Sequence, residues 1–303
     1  MINKTVLITG ATGFLGSHLT DKFVNEGFKV IILKRSFSNT WRINHLLDKI
    51  ICYDIDKVDL SKPFEDHEVN TIIHTATKYG RNNERISEVL ESNLLFPIKL
   101  LEISMFFNTD TFFNTDTVWT MPALYKYLNS YSLSKKQFGE WLKIFSDKIR
   151  VFNLKLENMY GEKDDTTRFI IPMVISQILK NEKEIKLTKG EQKRDFVYVK
   201  DVVDAYYKLF LKKDSFGKGF YDYNIGSGHP TEIREIITLI KKLIGNNVTY
   251  LNFGAIPYRE SEIMELQSKV EKIKEDIGWE PKTFLAEGLK QTIEWYRRRL
   301  NNE

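Results

Sequence analysis

A tyrosine and a lysine in the segment YSLSKK could perform acid–base chemistry. Tyr131 and Lys135 lie four residues apart in a predicted helix, so their side chains would lie on one face, one turn apart. A free phenol has a pKa of about 10 and is a poor acid–base group at neutral pH. A neighbouring ammonium favours the phenolate and lowers that pKa, so we expect Tyr131 to give a proton to a carbonyl oxygen. The Tyr-x-x-x-Lys pattern alone is weak evidence in a chain with 14 tyrosines, so its interpretation depends on the surrounding elements.

Three glycines near the start of the chain could bind a diphosphate. The segment ITGATGFLG places Gly10, Gly13 and Gly16 between a predicted strand and a predicted helix. Gly10 permits the sharp turn, Gly13 lets a pyrophosphate approach the backbone, and Gly16 lets helix and strand pack closely. The helix N-terminus adds unpaired N–H groups and the positive end of its dipole. The segment is therefore predicted to bind a dinucleotide, and its other candidate contacts are Thr12, Phe14 and Leu15.

The elements that position these residues alternate between short apolar runs and longer amphipathic ones. The apolar runs are continuous and rich in β-branched residues, as strands buried on both faces should be. They predict strands at Val6–Thr9, Val30–Leu33, Ile50–Tyr53, Thr71–His74, Thr111–Asn114 and Val151–Leu156. Helices are predicted between them, including Phe14–Glu26, Glu84–Phe107 and Asn129–Phe145. This succession predicts an α/β fold, a Rossmann-type doubly wound parallel sheet with helices on both faces.

The alternation becomes less regular after about residue 160. The second half predicts helices at Ile170–Lys180, Val199–Leu211 and Glu232–Ile244, separated by loops rich in Gly, Lys and Asp. We expect a dinucleotide-binding domain over residues 1–160 and a smaller C-terminal substrate lobe over residues 161–303. Parts of about 191–225 are expected to pack back on the first domain. A cleft between two such lobes is a natural place for a ligand.

The composition is that of an ordinary globular chain and argues against several functional classes. Of the 303 residues, 42% are hydrophobic and 28% are charged. The net charge of +4 is too small to indicate a nucleic-acid partner, and no apolar run approaches the roughly 18 residues that a membrane span needs. The N-terminus has the pattern of a strand rather than of a signal peptide, and Cys52 is the only cysteine. We expect a cytoplasmic protein with no nucleic-acid or membrane partner and no metal site.

The spacing Gly-x-x-Gly-x-x-Gly, followed later by Tyr131 and Lys135, resembles the extended short-chain dehydrogenases/reductases. These proteins form the NAD-dependent epimerase/dehydratase family, and the resemblance extends over nearly the whole chain. It implies that Tyr131 is the acid–base group and that Lys135 also bonds the nicotinamide ribose. It further implies that Asp54 and Ile55 hold the adenine, and that the backbone of Thr75, Ala76 and Thr77 passes the cofactor.

The resemblance also places a catalytic serine or threonine at the carboxyl end of the fifth strand. The tetrapeptide Asn-Thr-Asp-Thr occurs twice, at Asn108–Thr111 and at Asn114–Thr117. The second copy ends the predicted strand, so the resemblance assigns Thr115 as the hydroxyl that bonds the substrate oxygen beside Tyr131. The first copy follows a long helix and suits a turn. We interpret the repeat as a coincidence.

The end of the second strand bears on the choice of cofactor. An acidic residue there would hold the 2′-hydroxyl of NAD, but this chain has Lys34, Arg35 and Ser36. These side chains can bind a 2′-phosphate, which a carboxylate would repel. We therefore expect NADPH as the cofactor, with NADH less favoured.

The residues after Thr115 limit the reaction. Family members that eliminate water resemble Ser-Thr-Asp-Glu-Val-Tyr at this place, where the Asp is the acid and the Glu is the base. This chain retains Asp116 but has Thr117 in place of the Glu, and an unactivated hydroxyl is not a base near neutral pH. We expect Asp116 and Thr117 to contact substrate, and the chemistry to be that of a reductase or an epimerase.

The second half resembles the sugar-nucleotide enzymes of the family. The segments LKLENMYGE and RDFVYVKDVVDAY match family motifs, which implies that Asn158 touches substrate and that Arg194 reaches the nucleotide diphosphate. Arg259 in PYRESEIM offers a second diphosphate contact. A guanidinium is a planar two-pronged donor for phosphate.

The longest matching stretches are similar to the 4-ketoreductases of the family. Those enzymes use NADPH to reduce C4 of a CDP-linked 4-keto-3,6-dideoxyhexose for O-antigen and other surface polysaccharides. Two alternatives stay open, namely a nucleotide-sugar 4-epimerase with tightly bound NAD and a non-catalytic NADP-binding regulatory protein. As in relatives, the helices Glu84–Phe107 and Asn129–Phe145 could pair across a homodimer, although their apolar faces could equally be internal core.

Overall fold

The computed structural model describes residues 4–81, 84–118, 129–260, 262–267 and 269–302. The chain divides into two compact units. The first consists of Met1–Leu156 and Tyr206–Tyr223, and the second of Glu157–Ala205 and Asn224–Glu303. Within the described ranges, no helix is both long enough and apolar enough to span a membrane.

The strands of the described residues are short. In chain order they are β1 (Thr5–Thr9), β2 (Lys29–Lys34), β3 (Ile51–Asp54), β4 (Thr71–His74), β5 (Thr111–Thr117), β6 (Arg150–Leu156), β7 (Asn158–Tyr160), β8 (Glu184–Leu187), β9 (Lys193–Arg194), β10 (Phe196–Tyr198), β11 (Gly219–Ile225), β12 (Thr231–Glu232) and β13 (Tyr250–Phe253). The six strands predicted in the first half are all present, and β5 continues beyond its predicted end to Thr117.

The α-helices occupy the segments between these strands. They are α1 (Phe14–Asn25), α2 (Lys62–Asp66), α3 (Ile86–Leu90), α4 (Phe96–Phe106), α5 (Asn129–Phe145), α6 (Ile170–Leu179), α7 (Val199–Lys212), α8 (Ile233–Ile244), α9 (Glu271–Ile277) and α10 (Leu285–Asn302). Short 3₁₀ turns lie at Asn44–Leu46 and Lys213–Ser215. The helices predicted at residues 14–26, 129–145, 170–180, 199–211 and 232–244 are confirmed to within about two residues, which is the ordinary uncertainty of helix ends.

A seven-stranded sheet forms the core of the first unit, in the order β11-β6-β5-β4-β1-β2-β3. The neighbouring pairs from β6 through β3 are all parallel. The interior strand β1 is buried over its whole length because helices cover both faces of a parallel sheet. The predicted Rossmann-type doubly wound sheet is confirmed.

Alternate residues of β5 show how the two faces are filled. Phe112 belongs to the core that contains Phe138 and Leu142 of α5, and α4 also contributes to that core. The next residue, Phe113, points the other way and packs against Phe152 and against Tyr206 of α7, with ring centroids 4.9 and 6.1 Å apart. The period of two thus places α5 against one face of β5 and the end of α7 against the other.

The long helix predicted at residues 84–107 is not a single α-helix. It consists of α3, a π-helical turn over Glu91–Leu95, and α4. Pro97 lies in the first turn of α4 and has no N–H, so it cannot donate to the carbonyl of residue 93. The backbone widens by one residue before this proline. The widened turn contains Asn93, whose side chain is buried.

The second unit packs three helices together, α6, α8 and α10. Strand pairs β10-β7, β12-β9 and β13-β8 complete it. The carboxylate of Asp195 accepts hydrogen bonds from the N–H groups of Ser227 (2.7 Å) and Gly228 (2.9 Å). Asp201 similarly accepts a bond from the N–H of Thr283 at 3.0 Å. Both aspartates therefore fix loops of the second unit.

Candidate active site

The glycine loop is shaped to leave its backbone open. Gly10 has a φ of +69°, and a Cβ there would lie 2.6 Å from both Ala76 N and Thr75 Oγ1. A Cβ on Gly16 would overlap the carbonyl of Gly10. Neither position accepts a side chain, so the loop and the start of α1 lie closely packed.

The N-terminus of α1 fits an anionic group. Helix α1 begins directly after Gly13, and among the described residues no side chain caps it. Its first backbone N–H groups are therefore left for a ligand, beside the positive end of the helix dipole. These features fit the diphosphate of a dinucleotide. Arg42, which the sequence analysis did not single out, donates to the carbonyl of Thr12 in this loop at 3.3 Å.

The segment after β4 is bonded to β1 beside the loop. Thr75 Oγ1 donates to the carbonyl of Thr9 at 2.7 Å, and Ala76 N donates to Thr9 Oγ1 at 3.3 Å. Thr77 Oγ1 donates to the side chain of Asn93. The structure thus brings two predicted cofactor segments, the glycine loop and Thr75–Thr77, next to each other.

Carboxylates engage two of the three residues predicted for a 2′-phosphate. Lys34 forms an ion pair with Asp54. Ser36 donates twice to Asp56, from its N–H to Oδ1 at 2.7 Å and from its hydroxyl to Oδ2 at 2.6 Å. The guanidinium of Arg35 lies over the ring of Phe37, 4.8 Å from its centroid. Asp56 is a residue that the sequence analysis missed.

Tyr131 is buried in α5 at the C-terminal end of β5. It is 7% exposed, and its ring lies 4.9 Å from the ring of Tyr79. Burial raises the pKa of Tyr131 well above its ordinary value, and the Tyr79 and Asp116 groups add to that rise. A hydrogen bond with the Thr117 side chain and the charge of Arg81 act in the opposite direction and are weaker. The expected lowering of this pKa by Lys135 is therefore wrong for this structure, because burial dominates.

The two threonines at the end of β5 have different partners. Thr115 Oγ1 shares a hydrogen bond of 2.7 Å with the hydroxyl of Tyr206 in α7. Thr117 is buried and is the hydroxyl that bonds Tyr131. The structure therefore places Thr117 against Tyr131, and the role of Thr115 on the substrate oxygen stays a prediction. The first copy of the tetrapeptide forms a turn, as predicted, with Asn108 at a φ of +58°.

Lys135 has a buried ammonium group. It is 2% exposed, and its Nζ donates to the carbonyl of Thr115 at 2.8 Å. Burial lowers the pKa of Lys135 to about 8, while the charge of Asp116 acts to raise it. The lysine is thereby bonded to the same strand end that contains the two threonines.

Asp116 is the buried carboxylate that faces this lysine. It is 5% exposed, and a Cβ on Gly139, four residues after Lys135 in α5, would lie 3.9 Å from its Oδ2. Its Oδ1 accepts a bond from Thr117 N at 2.8 Å, and its Oδ2 accepts one from Asn153 at 3.0 Å. Burial raises the pKa of Asp116, against the smaller effects of the Lys135 charge and these hydrogen bonds. Both carboxylate oxygens thus have donors from the protein itself.

Asn153 connects this carboxylate to a second ion pair. Its side-chain amide donates to Asp222 at 2.8 Å and accepts a bond from Asn114 at 2.7 Å. Asp222 in turn pairs with Lys155 at 2.6 Å. The polar groups on this side of β5 and β6 therefore form one connected network.

Asn93 is a positioning residue that the sequence analysis missed. Its amide nitrogen donates to the carbonyl of Lys78 at 2.8 Å and to Ser134 Oγ at 3.1 Å, and its oxygen accepts a bond from Lys78 N at 2.8 Å. It thus ties the segment after β4 to α5 one turn from Tyr131. The available signal was Pro97 four residues later, which predicts a break in the helix.

The predicted substrate residues of the second unit differ in exposure. Arg194 is buried, forms an ion pair with Glu262 and donates to the carbonyl of Lys193 at 2.7 Å. Asn158 N donates to the carbonyl of Asp195 at 3.2 Å. Arg259 is exposed.

The chain is similar to known proteins over almost its whole length. Residues 6–226 match the profile of the NAD dependent epimerase/dehydratase family. The chain is 36% identical to a CDP-abequose synthase from Salmonella muenchen over 301 residues, covering 96% of this chain and 98% of that protein. It is 27% identical to a CDP-abequose synthase from Salmonella typhimurium, with the same coverage of each chain. Among solved structures, the UDP-glucose 4-epimerase of Thermotoga maritima with UDP-glucose has a TM-score of 0.85 at 25% identity, covering 98% of this chain and 99% of that one.

Gly16→Ala tests whether the close packing of α1 forms the cofactor loop. The new methyl group would meet backbone atoms of Gly10 and Ala11, which cannot move aside as a side chain can. We expect the dissociation constant for the nicotinamide dinucleotide to rise by more than about tenfold, and the unfolding free energy to fall by about 1–3 kcal/mol. Calorimetric titration and chemical denaturation measure the two effects.

Gly217→Ala is the matched control, because nothing lies within 4 Å of a Cβ at that position. Dinucleotide binding by Gly16→Ala at the strength of the parent protein would contradict this account of the loop.

Asp116→Asn tests whether the buried carboxylate holds the proton on Lys135. The Asp116 charge raises the pKa of Lys135, so its removal should lower that pKa below the parent value of about 8. The ε-carbon signal of Lys135 in protein labelled with ¹³C-lysine, followed by NMR against pH, reports the midpoint. Asp222→Asn is the control, because Asp222 also accepts a hydrogen bond from Asn153 but is more exposed than Asp116. Removing its charge should leave the titration midpoint of Lys135 unchanged. A midpoint in Asp116→Asn equal to or above that of the parent would refute the coupling.

Proposed function

This chain belongs to the NAD dependent epimerase/dehydratase family, and on that basis we propose that it is an NADPH-dependent 4-ketoreductase of a nucleotide-linked deoxysugar. The observation that most strongly supports this function is the 36% identity to a CDP-abequose synthase over almost the full length of both chains. The proposed substrate is a nucleotide-diphosphate 4-keto-deoxysugar, CDP-linked in the first instance. The product would enter the synthesis of O-antigen in lipopolysaccharide or of a related surface polysaccharide.

The protonated state of Tyr131 fits the acid step of a carbonyl reduction. A reductase needs a protonated group that gives its proton to the carbonyl oxygen at C4. Burial raises the pKa of Tyr131, so its phenol is protonated at neutral pH and is ready to donate.

Elimination of water has no support in the site. Thr117 occupies the position where the dehydratases of the family have a glutamate base, and it bonds Tyr131. The neighbouring carboxylate, Asp116, is buried with both oxygens bonded to protein donors.

The proposed mechanism assigns one task to each group. A bound NADPH supplies the hydride for C4. Tyr131 gives its phenolic proton to the C4 oxygen, and Thr115 and Thr117 offer hydroxyls that orient that oxygen. Lys135, which is bonded to the Thr115 carbonyl, would also bond the nicotinamide ribose.

The remaining predicted residues are proposed to bind the two ligands. The glycine loop, with Thr12, Phe14 and Leu15, would hold the cofactor diphosphate, while Asp54 and Ile55 would hold the adenine. Lys34, Arg35 and Ser36 would bind the 2′-phosphate. In the second unit, Asn158, Arg194 and Arg259 are proposed to contact the nucleotide sugar, with the two guanidinium groups on its diphosphate.

A 4-epimerase with tightly bound NAD is the second candidate. It is favoured by the likeness in fold to the Thermotoga maritima UDP-glucose 4-epimerase and by the carboxylates of Asp54 and Asp56 near the end of β2. A non-catalytic NADP-binding protein is disfavoured, because such a protein has no need for a buried acid–base tyrosine beside a buried lysine.

We propose that the protein is a cytoplasmic homodimer without a nucleic-acid or membrane partner. Apolar side chains are exposed along α4 and α5, notably Phe106 at 79% and Ile144 at 62%. Leu133 and Trp141 of α5 are also exposed. Large apolar groups exposed together on neighbouring helices indicate an interface.

Purified protein should oxidise NADPH stoichiometrically when given freshly prepared CDP-4-keto-3,6-dideoxyglucose. Tyr131→Phe should lower kcat by about 10²–10⁴, because the proton donor is lost. Loss of the nicotinamide absorbance measures the rate, and a panel of keto-sugars linked to CDP, dTDP or GDP identifies the nucleotide. An absence of turnover with every keto-sugar, together with NAD that copurifies with the protein, would move the assignment to a 4-epimerase.

Thr115→Val and Thr117→Val form a matched pair in the same assay. Loss of one hydrogen bond to the reacting oxygen should cost Thr115→Val about 5- to 100-fold in kcat/KM. A larger loss of kcat/KM in Thr117→Val than in Thr115→Val would indicate that the Thr117 hydroxyl, which bonds Tyr131, orients the reacting oxygen.

The double substitution Trp141→Glu with Ile144→Glu tests the proposed dimer. Two carboxylates on α5 should convert the dimer into a monomer, as measured by light scattering after size-exclusion chromatography. Phe284→Glu is the control, since this exposed side chain lies outside α4 and α5. A parent protein that is monomeric at every concentration would contradict the interface.

A further inference from the structure

Ser36 presents two hydrogen-bond donors to one side chain. Its N–H and its hydroxyl both point to Asp56, at 2.7 and 2.6 Å from the two carboxylate oxygens. Backbone N–H groups and serine hydroxyls also donate hydrogen bonds to phosphate oxygens. The Asp56 carboxylate therefore occupies the donors that a 2′-phosphate would need.

The charges around Ser36 are already paired to a large extent. Lys34 lies in an ion pair with Asp54, and Lys57 Nζ lies 4.0 Å from the other oxygen of Asp54. The hydrogen bonds from Ser36 lower the pKa of Asp56, so this group is a carboxylate at neutral pH. A 2′-phosphate that approached Ser36 would therefore meet the negative charge of Asp56, which already accepts hydrogen bonds from both donors of Ser36.

The position of Asp56 lets it yield to a competing ligand. Asp56 lies in the turn after β3, in which Lys57 N and Val58 N donate to the carbonyl of Asp54 at 2.8 and 3.1 Å. The residue is exposed, so its side chain can rotate into water without opening the core. A 2′-phosphate can therefore displace the Asp56 side chain from Ser36, but this displacement lowers the affinity for the phosphate.

We propose that Asp56 is a specificity-determining residue that competes with the 2′-phosphate of NADP(H) for the two donors of Ser36. NADH has no phosphate there and leaves the Asp56–Ser36 contact intact. The parent protein should therefore bind NADPH less tightly than a variant that lacks this carboxylate, whereas the two should bind NADH about equally. This inference rests on the proposed use of a nicotinamide cofactor, but not on the sugar that is reduced.

The test is calorimetric titration of Asp56→Asn and Asp56→Ala with NADPH and with NADH, at fixed ionic strength and without sugar. Both variants should bind NADPH about fivefold more tightly than the parent, since the repulsion from one exposed charge is partly screened by salt. Binding of NADH should change by less than about twofold, because an exposed contact contributes little.

Asp59→Asn is the matched control. Asp59 also accepts a bond from a serine N–H, that of Ser61, at 2.9 Å, and its replacement changes the net charge equally. It should leave the affinity for NADPH unchanged, so an equal gain in this variant would show a general field effect and overturn the proposal.

The outcomes separate this inference from the proposed function. A protein that reduces a keto-sugar with NADPH but whose Asp56 variants bind NADPH no more tightly keeps its function and refutes the role of Asp56. A parent that binds NADH alone, with NADPH binding gained in Asp56→Asn, supports the role of Asp56 and refutes NADPH as the cofactor of the parent. Binding of neither cofactor by any variant overturns both.

Discussion

The burial of one ammonium group, that of Lys135, constrains the whole neighbourhood of the candidate site. A buried charge costs several kcal/mol unless its surroundings replace the lost water. The carbonyl of Thr115 accepts one of its protons, and the carboxylate of Asp116 compensates its charge. Asp116 in turn needs Asn153, and Asn153 engages Asp222, which lies nearer the surface. The polar network across β5 and β6 thus stabilises the buried charge of one lysine.

The two ends of the site use different physical means to handle charge. At the glycine loop, backbone N–H groups and the dipole of α1 are offered to an anion, and the packing at Gly16 leaves no space for a side chain. At the end of β2, side chains face each other as cation–carboxylate and hydroxyl–carboxylate pairs. The first arrangement does not depend on the titration of a side chain. In the second arrangement, replacement of a single carboxylate changes the charge that a ligand meets.

The sequence allowed the sheet and the motif residues to be predicted, because both depend on local patterns. Strands buried on both faces are continuous apolar runs, and the spacing of the glycines is informative once it falls between a predicted strand and a predicted helix. The partners of these residues could not be predicted, since Asp56, Tyr206 and Asn93 reach the site only through the tertiary fold. The pKa of Tyr131 was predicted in the wrong direction for the same reason: spacing places a lysine one turn away, but it does not reveal how deeply the phenol is buried.

The repeat that includes the tetrapeptide bears on the pairing register of β5 in the sheet. The full repeat is the hexapeptide FFNTDT, at residues 106–111 and 112–117. A slip of six residues is even, so every side chain would keep its face of the sheet, and six of the seven positions of β5 would hold the same residue type. The seventh would replace Thr111, whose hydroxyl accepts a bond from Arg150 at 2.9 Å, with Met105. The strand's own side chains therefore barely distinguish the two registers, and the end of α4 together with the left-handed Asn108 must exclude the wrong one during folding.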